Sequence, residues 1–267
     1  MSTKLLSIRK LEVVYGRSVR AIQGVSLEIE EGSIVALVGL NGAGKTTTIR
    51  AIAGFLPTEN VRITDGEILF GGRPVNHWQP YQASAAGVAV VPERNKVFEH
   101  LSVRENLELS LLSRCTQAPD GFRTCEQVFD QFPFLAEKRD EHALVLSGGQ
   151  RQMLAIAACL MTGPRLLIVD EASLGLSPLM TRRIMQLLKE LNERFKLTIL
   201  VVDQNVADVL SVAHFGYVLE NGRIVFDNTA SALREHGDVQ EFYLGKRGGT
   251  ERGYRDVKQY RRTRRWY

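Results

Sequence analysis

Eight residues, Gly39-Leu40-Asn41-Gly42-Ala43-Gly44-Lys45-Thr46, hold the densest chemistry in the chain. They fit G-x-x-x-x-G-K-[ST], the spacing of a phosphate-cradling loop. Glycines let successive backbone N–H groups converge on phosphate oxygens with no Cβ in the way. A helix starting at the loop points its positive dipole end at the same anions. Lys45 adds a full charge for the β- and γ-phosphates, and the Thr46 hydroxyl is placed to ligate Mg²⁺. The flanks agree: Ile34–Val38 suits a strand leading in, and Lys45–Ile52 suits a helix leading out. Alone, the loop specifies a nucleoside triphosphate and leaves open what its energy drives.

Two further stretches carry chemistry. Leu166-Leu167-Ile168-Val169-Asp170-Glu171 is a continuous apolar run ending in two carboxylates. Such a run suits a strand buried on both faces of a parallel sheet, and ligand chemistry sits at the carboxyl ends of those strands. Asp170 would reach Mg²⁺, directly or through water, and Glu171 would polarise an attacking water. Leu146-Ser147-Gly148-Gly149-Gln150 precedes the helix-compatible Arg151–Met161. Ser147 can cap that helix, and the two glycines leave its backbone open to a phosphate. This is a second anion-receptive helix start, weak evidence by itself.

The elements that must position these groups are readable in outline. Leu6–Tyr15 and Val25–Ile29 read as strands, and Asp65-Gly66 turns into a third, Glu67–Phe70. Strands joined by tight turns predict a small antiparallel sheet beside the nucleotide core. Tyr15 reads either as a flat face for an adenine ring or as an ordinary strand-end tyrosine. Val88–Val91 is another apolar strand, followed by Glu93. Val103–Leu112 predicts a helix with Val103, Leu107, Leu111 and Leu112 on one face. Gln117–Gly121 is a polar break, and Cys125–Phe134 resumes a helical pattern with Val128, Phe129 and Phe132 apolar. Residues 97–161 thus read as a helical lobe. Ser177-Pro178 starts a helix with the proline in its first turn, and Ile184, Leu187, Leu188, Leu191 and Phe195 form its buried stripe. Leu197–Val202 is a buried strand leading to Asp203-Gln204-Asn205. Asn221-Gly222 marks a hairpin between Tyr217–Leu219 and Ile224–Phe226. Strand–helix alternation around a phosphate loop gives an α/β core.

The totals allow one large domain or two lobes in 267 residues, with ordinary apolar and charged content. No apolar run nears the roughly 20 residues needed to span a bilayer. Met1–Lys10 lacks a long apolar stretch, so no secretory leader is expected. Cys115, Cys125 and Cys159 lack metal-type spacing and read as reduced structural thiols. The net charge of +4 is unevenly placed. From Lys246 onward nine basic residues face only Glu251 and Asp256, so the body is net acidic. The tail 246–267 fits a disordered solvated extension, contact with anionic lipid with Trp266 at the interface, or nucleic-acid binding, the last ranked lowest.

The order of phosphate loop, helical lobe, Leu-Ser-Gly-Gly-Gln and apolar strand with Asp-Glu resembles the ATP-binding subunits of ABC transporters over nearly all of residues 5–245. Three features are similar to the ATPases of branched-chain amino acid importers: Val91-Pro92-Glu93, Ser173-Leu174-Gly175-Leu176-Ser177-Pro178 and Asp203-Gln204-Asn205. That group also ends near Tyr243-Leu244-Gly245. The chain departs from it with Arg94-Asn95 for Gly-Arg after the loop glutamate, Ala172 for proline, and Asp203 for glutamate.

The resemblance implies an α/β P-loop NTPase core with a small antiparallel β subdomain and an inserted helical subdomain. It implies ATP and Mg²⁺ as ligands. It carries nucleotide contact over to Tyr15, Gly39, Asn41, Gly42, Ala43, Gly44, Lys45, Thr46, Thr47, Glu93, Ser147, Gly148, Gly149 and Gln150. Metal contact falls to Thr46 and Asp170, and catalysis to Glu171 with Gln204 at the switch position. It implies head-to-tail pairing with a second ABC ATPase, in this group a distinct paralogue, on the cytoplasmic face of the inner (plasma) membrane. Two permeases and an external solute-binding protein would complete the assembly. The cargo would be branched-chain or related amino acids; urea, amides and small aromatic acids are carried by close relatives. A non-transport ATPase of the same fold is the rival, without the tandem cassette or coiled coil that translation or repair ATPases would need. A GTPase would need Asn-Lys-x-Asp, and Asn95-Lys96-Val97-Phe98 lacks the aspartate.

Overall fold

The computed structural model describes residues 3–16, 18–59, 61–94, 96–113, 115 and 122–242. The basic tail 246–267, the Tyr243-Leu244-Gly245 ending, Asn95 and the break at 117–121 lie outside the described residues. Two sheets organise the rest. Strands β1 (Lys4–Tyr15) and β2 (Val19–Glu30) belong to an antiparallel sheet with two later strands; β3 (Ile34–Val38) belongs to the other sheet and leads to helix α1 (Lys45–Ile52). Then come β4 (Val61–Phe70), β5 (Arg73–Pro74), α2 (Pro80–Ala85) and β6 (Val88–Val91). The helices α3 (Val103–Ser110), α4 (Cys125–Gln131), α5 (Pro133–Glu137) and α6 (Gly148–Met161) follow, before β7 (Leu166–Asp170), α7 (Pro178–Phe195) and β8 (Thr198–Asp203). The chain closes with α8 (Val206–Leu210), β9 (Phe215–Glu220), β10 (Arg223–Thr229), α9 (Ala230–Glu235) and α10 (Gly237–Phe242).

The antiparallel sheet has the order β2-β1-β4-β5, and the six-stranded sheet β10-β9-β3-β8-β7-β6. In the latter only β10 runs antiparallel to its neighbour. Its central strands β3, β7 and β8 are buried at every position because both faces are covered. Val35, Leu37, Ile168, Leu200 and Val202 face a core shared with the antiparallel sheet and α1. Ala36, Val38, Val169, Ile199 and Val201 face a second core filled by the helices, from Leu107 of α3 to Leu188 of α7.

Four expectations need correction. Asp65-Gly66 is no turn: β4 runs through it, with Gly66 at φ 88° opposite a bulge at Lys10, φ 49°. The predicted helix at 103–112 ends at Ser110 and gives way to a 3₁₀ turn at Leu111–Ser113, which swings Leu112 out to 83% exposure. Cys125–Phe134 is two helices, because Phe132 at φ −126° and ψ 71° breaks the spiral before Pro133, whose ring disfavours α geometry in the preceding residue. Phe195 closes α7 beside the left-handed Lys196 and is partly exposed, its ring 5.2 Å from that of Phe122; Met185 takes a buried place on the stripe.

Candidate active site

Parallel register brings the chemistry together. Val38 of β3 pairs with Asp203 of β8, and Asp170 of β7 pairs with Val202 of β8. The carboxyl ends of three neighbouring strands therefore present Gly39, Gln204 and the Asp170–Glu171 pair along one edge, where open parallel sheets bind ligands.

The phosphate loop is shaped by backbone that other residues adopt poorly. Gly44 is the N-cap of α1 at φ 108°, and a Cβ there would lie 2.8 Å from Ile22 Cδ1 and 2.9 Å from the Ala21 carbonyl. Asn41 and Gly42 are exposed, whereas Ala43 is buried and its carbonyl accepts from Gly222 N at 2.8 Å. Lys45 opens α1 with 5% exposure. Its Nζ donates to the carbonyls of Gly39 at 2.9 Å and Leu40 at 3.3 Å, and lies 3.2 Å from Glu171 Oε1. Thr46 is half-buried and Thr47 buried. The Thr47 hydroxyl lies 3.2 Å from the Tyr15 hydroxyl, which ties the aromatic on β1 to the loop helix.

Glu171 follows β7 in a left-handed conformation, φ 50°, with its N–H donating to the Val202 carbonyl at 2.7 Å. A non-glycine residue held there stores local strain, a feature that clusters at functional sites. Asp170 is 4% exposed, and its Oδ1 has no hydrogen-bond partner. Burial, then the charges of Glu171 and Glu93, push its carboxyl up to about 6 against the pull of Lys45. An orphaned, buried carboxylate oxygen beside a phosphate loop fits a cation ligand. Among the described residues no three His, Cys, Asp or Glu form a self-contained metal cluster.

Ser147–Gln150 forms a reciprocal capping box: Gln150 N donates to Ser147 Oγ at 3.3 Å, and Ser147 N to Gln150 Oε1 at 2.9 Å. Among the described residues no hydrogen bond joins this segment to Gly39–Thr47 of the same chain. Its two glycines differ. Gly148 is exposed, while a Cβ on Gly149 would lie 2.3 Å from Met180 Cγ, so its missing side chain lets α6 pack on α7. Glu93, half-buried, pairs with Arg94 at 3.1 Å and lines a cleft of about 770 Å³ with Lys96, Phe98, Arg151, Leu174 and Leu176. Gln204 is exposed.

Residues 22–174 match the ABC transporter family. The chain belongs to that family. It is 37% identical to the high-affinity branched-chain amino acid transport ATP-binding protein BraG of Pseudomonas aeruginosa, over 90% of this chain and 100% of that protein. Over the same share it is 32% identical to a probable branched-chain amino acid transport ATP-binding protein, LivF, of Archaeoglobus fulgidus, covering 99% of it. The fold superposes on the ADP conformation of an ATP-binding cassette of an ABC transporter with TM-score 0.75 and 25% identity, over 91% of this chain and 99% of that one.

This ABC ATPase holds two charged residues whose positions the sequence did not reveal. Asp203 is 0% exposed and accepts three hydrogen bonds, two from Ser173. An acid ending an apolar strand, as at Asp170, is the signal that could have flagged it. Lys96 donates to the Oε1 of fully buried Gln152, and burial lowers its pKa against the opposing pull of Glu93, Asp170 and Asp203. Nothing in the local pattern around Lys96 marks that contact, because its partner lies on α6.

Proposed function

We propose that this ABC ATPase powers an importer for branched-chain or related amino acids, working as one of two ATPase subunits on a pair of membrane permeases. The observation that carries the cargo class is the match along nearly the whole chain to two ATP-binding proteins named for branched-chain amino acid transport. No helix among the described residues is long and apolar enough to cross a membrane; the permeases would supply the membrane path. An external solute-binding protein would select the cargo. The subunit would sit on the cytoplasmic face of the inner membrane, with residues 97–161 as its helical lobe and the cleft beside Glu93 turned to the permease.

The strand-end geometry supports the following chemistry. Backbone N–H groups of Gly39–Thr47 and the Lys45 ammonium hold the phosphates, and Tyr15 stacks on adenine. Thr46 and Asp170 would hold Mg²⁺, which when bound would neutralise charge on the nucleotide phosphates. Glu171 orients and polarises the attacking water. Gln204 hydrogen-bonds the γ-phosphate as a neutral amide, without the titration a histidine would bring. Ser147, Gly148, Gly149 and Gln150 complete the site of the opposite subunit, which accounts for two anion-receptive helix starts in one chain.

A pull-down of the tagged full-length chain from native membranes in mild detergent, with mass spectrometry, tests the assembly. Recovery of a second ATPase, two permeases and a solute-binding protein is the expected outcome. Recovery of soluble partners alone would overturn the transport reading and leave the ATPase chemistry standing.

A further inference from the structure

We infer that Asp203 is a positioning residue that locks Glu171 and Gln204 into one frame; the inference rests on the roles proposed above for those two residues. Asp203 is the last residue of β8 and has no exposed surface. A carboxylate in that position must be hydrogen-bonded or pay a large desolvation cost. Three donors meet it. Ser173 N donates to Oδ2 at 2.9 Å, Ser173 Oγ donates to Oδ1 at 2.7 Å, and Asn205 N donates to Oδ1 at 2.9 Å.

The identity of those donors is what matters. Ser173 lies two residues after Glu171, and Asn205 lies one residue after Gln204. One side chain therefore grips the segments that carry both groups. Glu171 is also held at its own amide by the Val202 carbonyl, 2.7 Å away. A strained residue at φ 50° keeps that conformation only where its surroundings over-determine it. Val202 and Asp203, adjacent on β8, supply that by holding the amides of Glu171 and Ser173.

A purely structural role explains only part of this. The bond to Asn205 N is a local turn that feeds α8, whose cap is the Asn205 side chain accepting from Asp208 N at 3.3 Å. The bonds to Ser173 cross 30 residues of sequence. They are not needed to join β7 to β8, which five consecutive register pairs already secure. What they fix is the start of the segment 173–177, which includes Leu174 at 41% exposure and Gly175 at φ 71°.

The test compares Asp203→Asn, Asp203→Glu, Ser173→Ala and Glu171→Gln in complexes purified through the tagged full-length chain. Asp203→Asn keeps the shape but cannot serve all three donors. Its kcat for ATP should fall about 10²-fold, the cost of slight misplacement of a catalytic group, with KM for ATP unchanged and melting temperature lowered, since a buried donor loses its acceptor. Ser173→Ala should lower kcat in the same direction by a smaller factor, and Asp203→Glu should restore part of the turnover. Wild-type kcat in Ser173→Ala and in Asp203→Asn overturns the inference. So does a parallel loss of kcat and ATP affinity. If Asp203→Asn does not fold, Ser173→Ala decides alone. Full turnover in Glu171→Gln would remove Glu171 from catalysis and this inference with it. Lost turnover there beside wild-type kcat in Ser173→Ala would sink the positioning role only.

Discussion

Lys45 Nζ lies 3.2 Å from Glu171 Oε1, with both side chains nearly out of solvent at 5% and 9% exposure. The contact joins the first residue of α1 to the residue after β7. Two carbonyls of the loop, Gly39 and Leu40, share the same ammonium. The chain thus holds its phosphate-loop lysine against its candidate base.

Lys45→Ala should abolish ATP binding and also lower stability by about 3 kcal/mol, because it strands a buried carboxylate. Denaturant unfolding of the variant chain checks this. Adding Glu171→Gln to Lys45→Ala should recover part of the loss. Equal midpoints for the single and double variants would show that the pair contributes nothing.

Asp170 gives the pH dependence its sign. Its pKa is up to about 6 in the folded chain against an ordinary 3.8. Between those values the folded state binds more protons than the unfolded one, so this group lowers stability as pH rises through the window. Asp170→Asn should flatten that slope and raise the melting temperature at pH 7 in metal-free buffer. It should also remove Mg²⁺-dependent turnover. A lower melting temperature at pH 7 would contradict the unsatisfied burial seen at Oδ1.

Gly149→Ala places a Cβ 2.3 Å from Met180 Cγ and 2.6 Å from its sulfur. Overpacking of this kind costs about 1–3 kcal/mol. Thermal melts should show the loss, and Met180→Ala in the same chain should relieve it. If the double variant stays as unstable as Gly149→Ala, the glycine is required for some reason other than this contact.

The phosphate loop and the strand with Asp170 and Glu171 were legible because their signals are local: a fixed glycine spacing and an unbroken apolar run ending in acids. The two-sheet α/β frame was legible for the same reason. Other features depend on partners far along the chain. The bulge at Lys10 and Gly66 reads as a turn until β4 is seen to continue past it beside β1. The packing role of Gly149 shows only once Met180 is seen in its Cβ space. Asp203 shows in sequence only as an unusual residue at the switch position, since Ser173 is 30 residues away. The split at Phe132–Pro133 is a local signal, outweighed in the sequence reading by apolar Val128, Phe129 and Phe132, all of which do reach the core.

The most direct measurement is steady-state ATP turnover of Glu171→Gln against wild type in the assembled complex, with ATP binding measured on the same preparations. Binding should persist while turnover falls by roughly 10²–10⁴, the range for removing a positioned base. Turnover near the wild-type rate would remove Glu171 from the reaction, and with it the account of the strand-end edge as the catalytic centre.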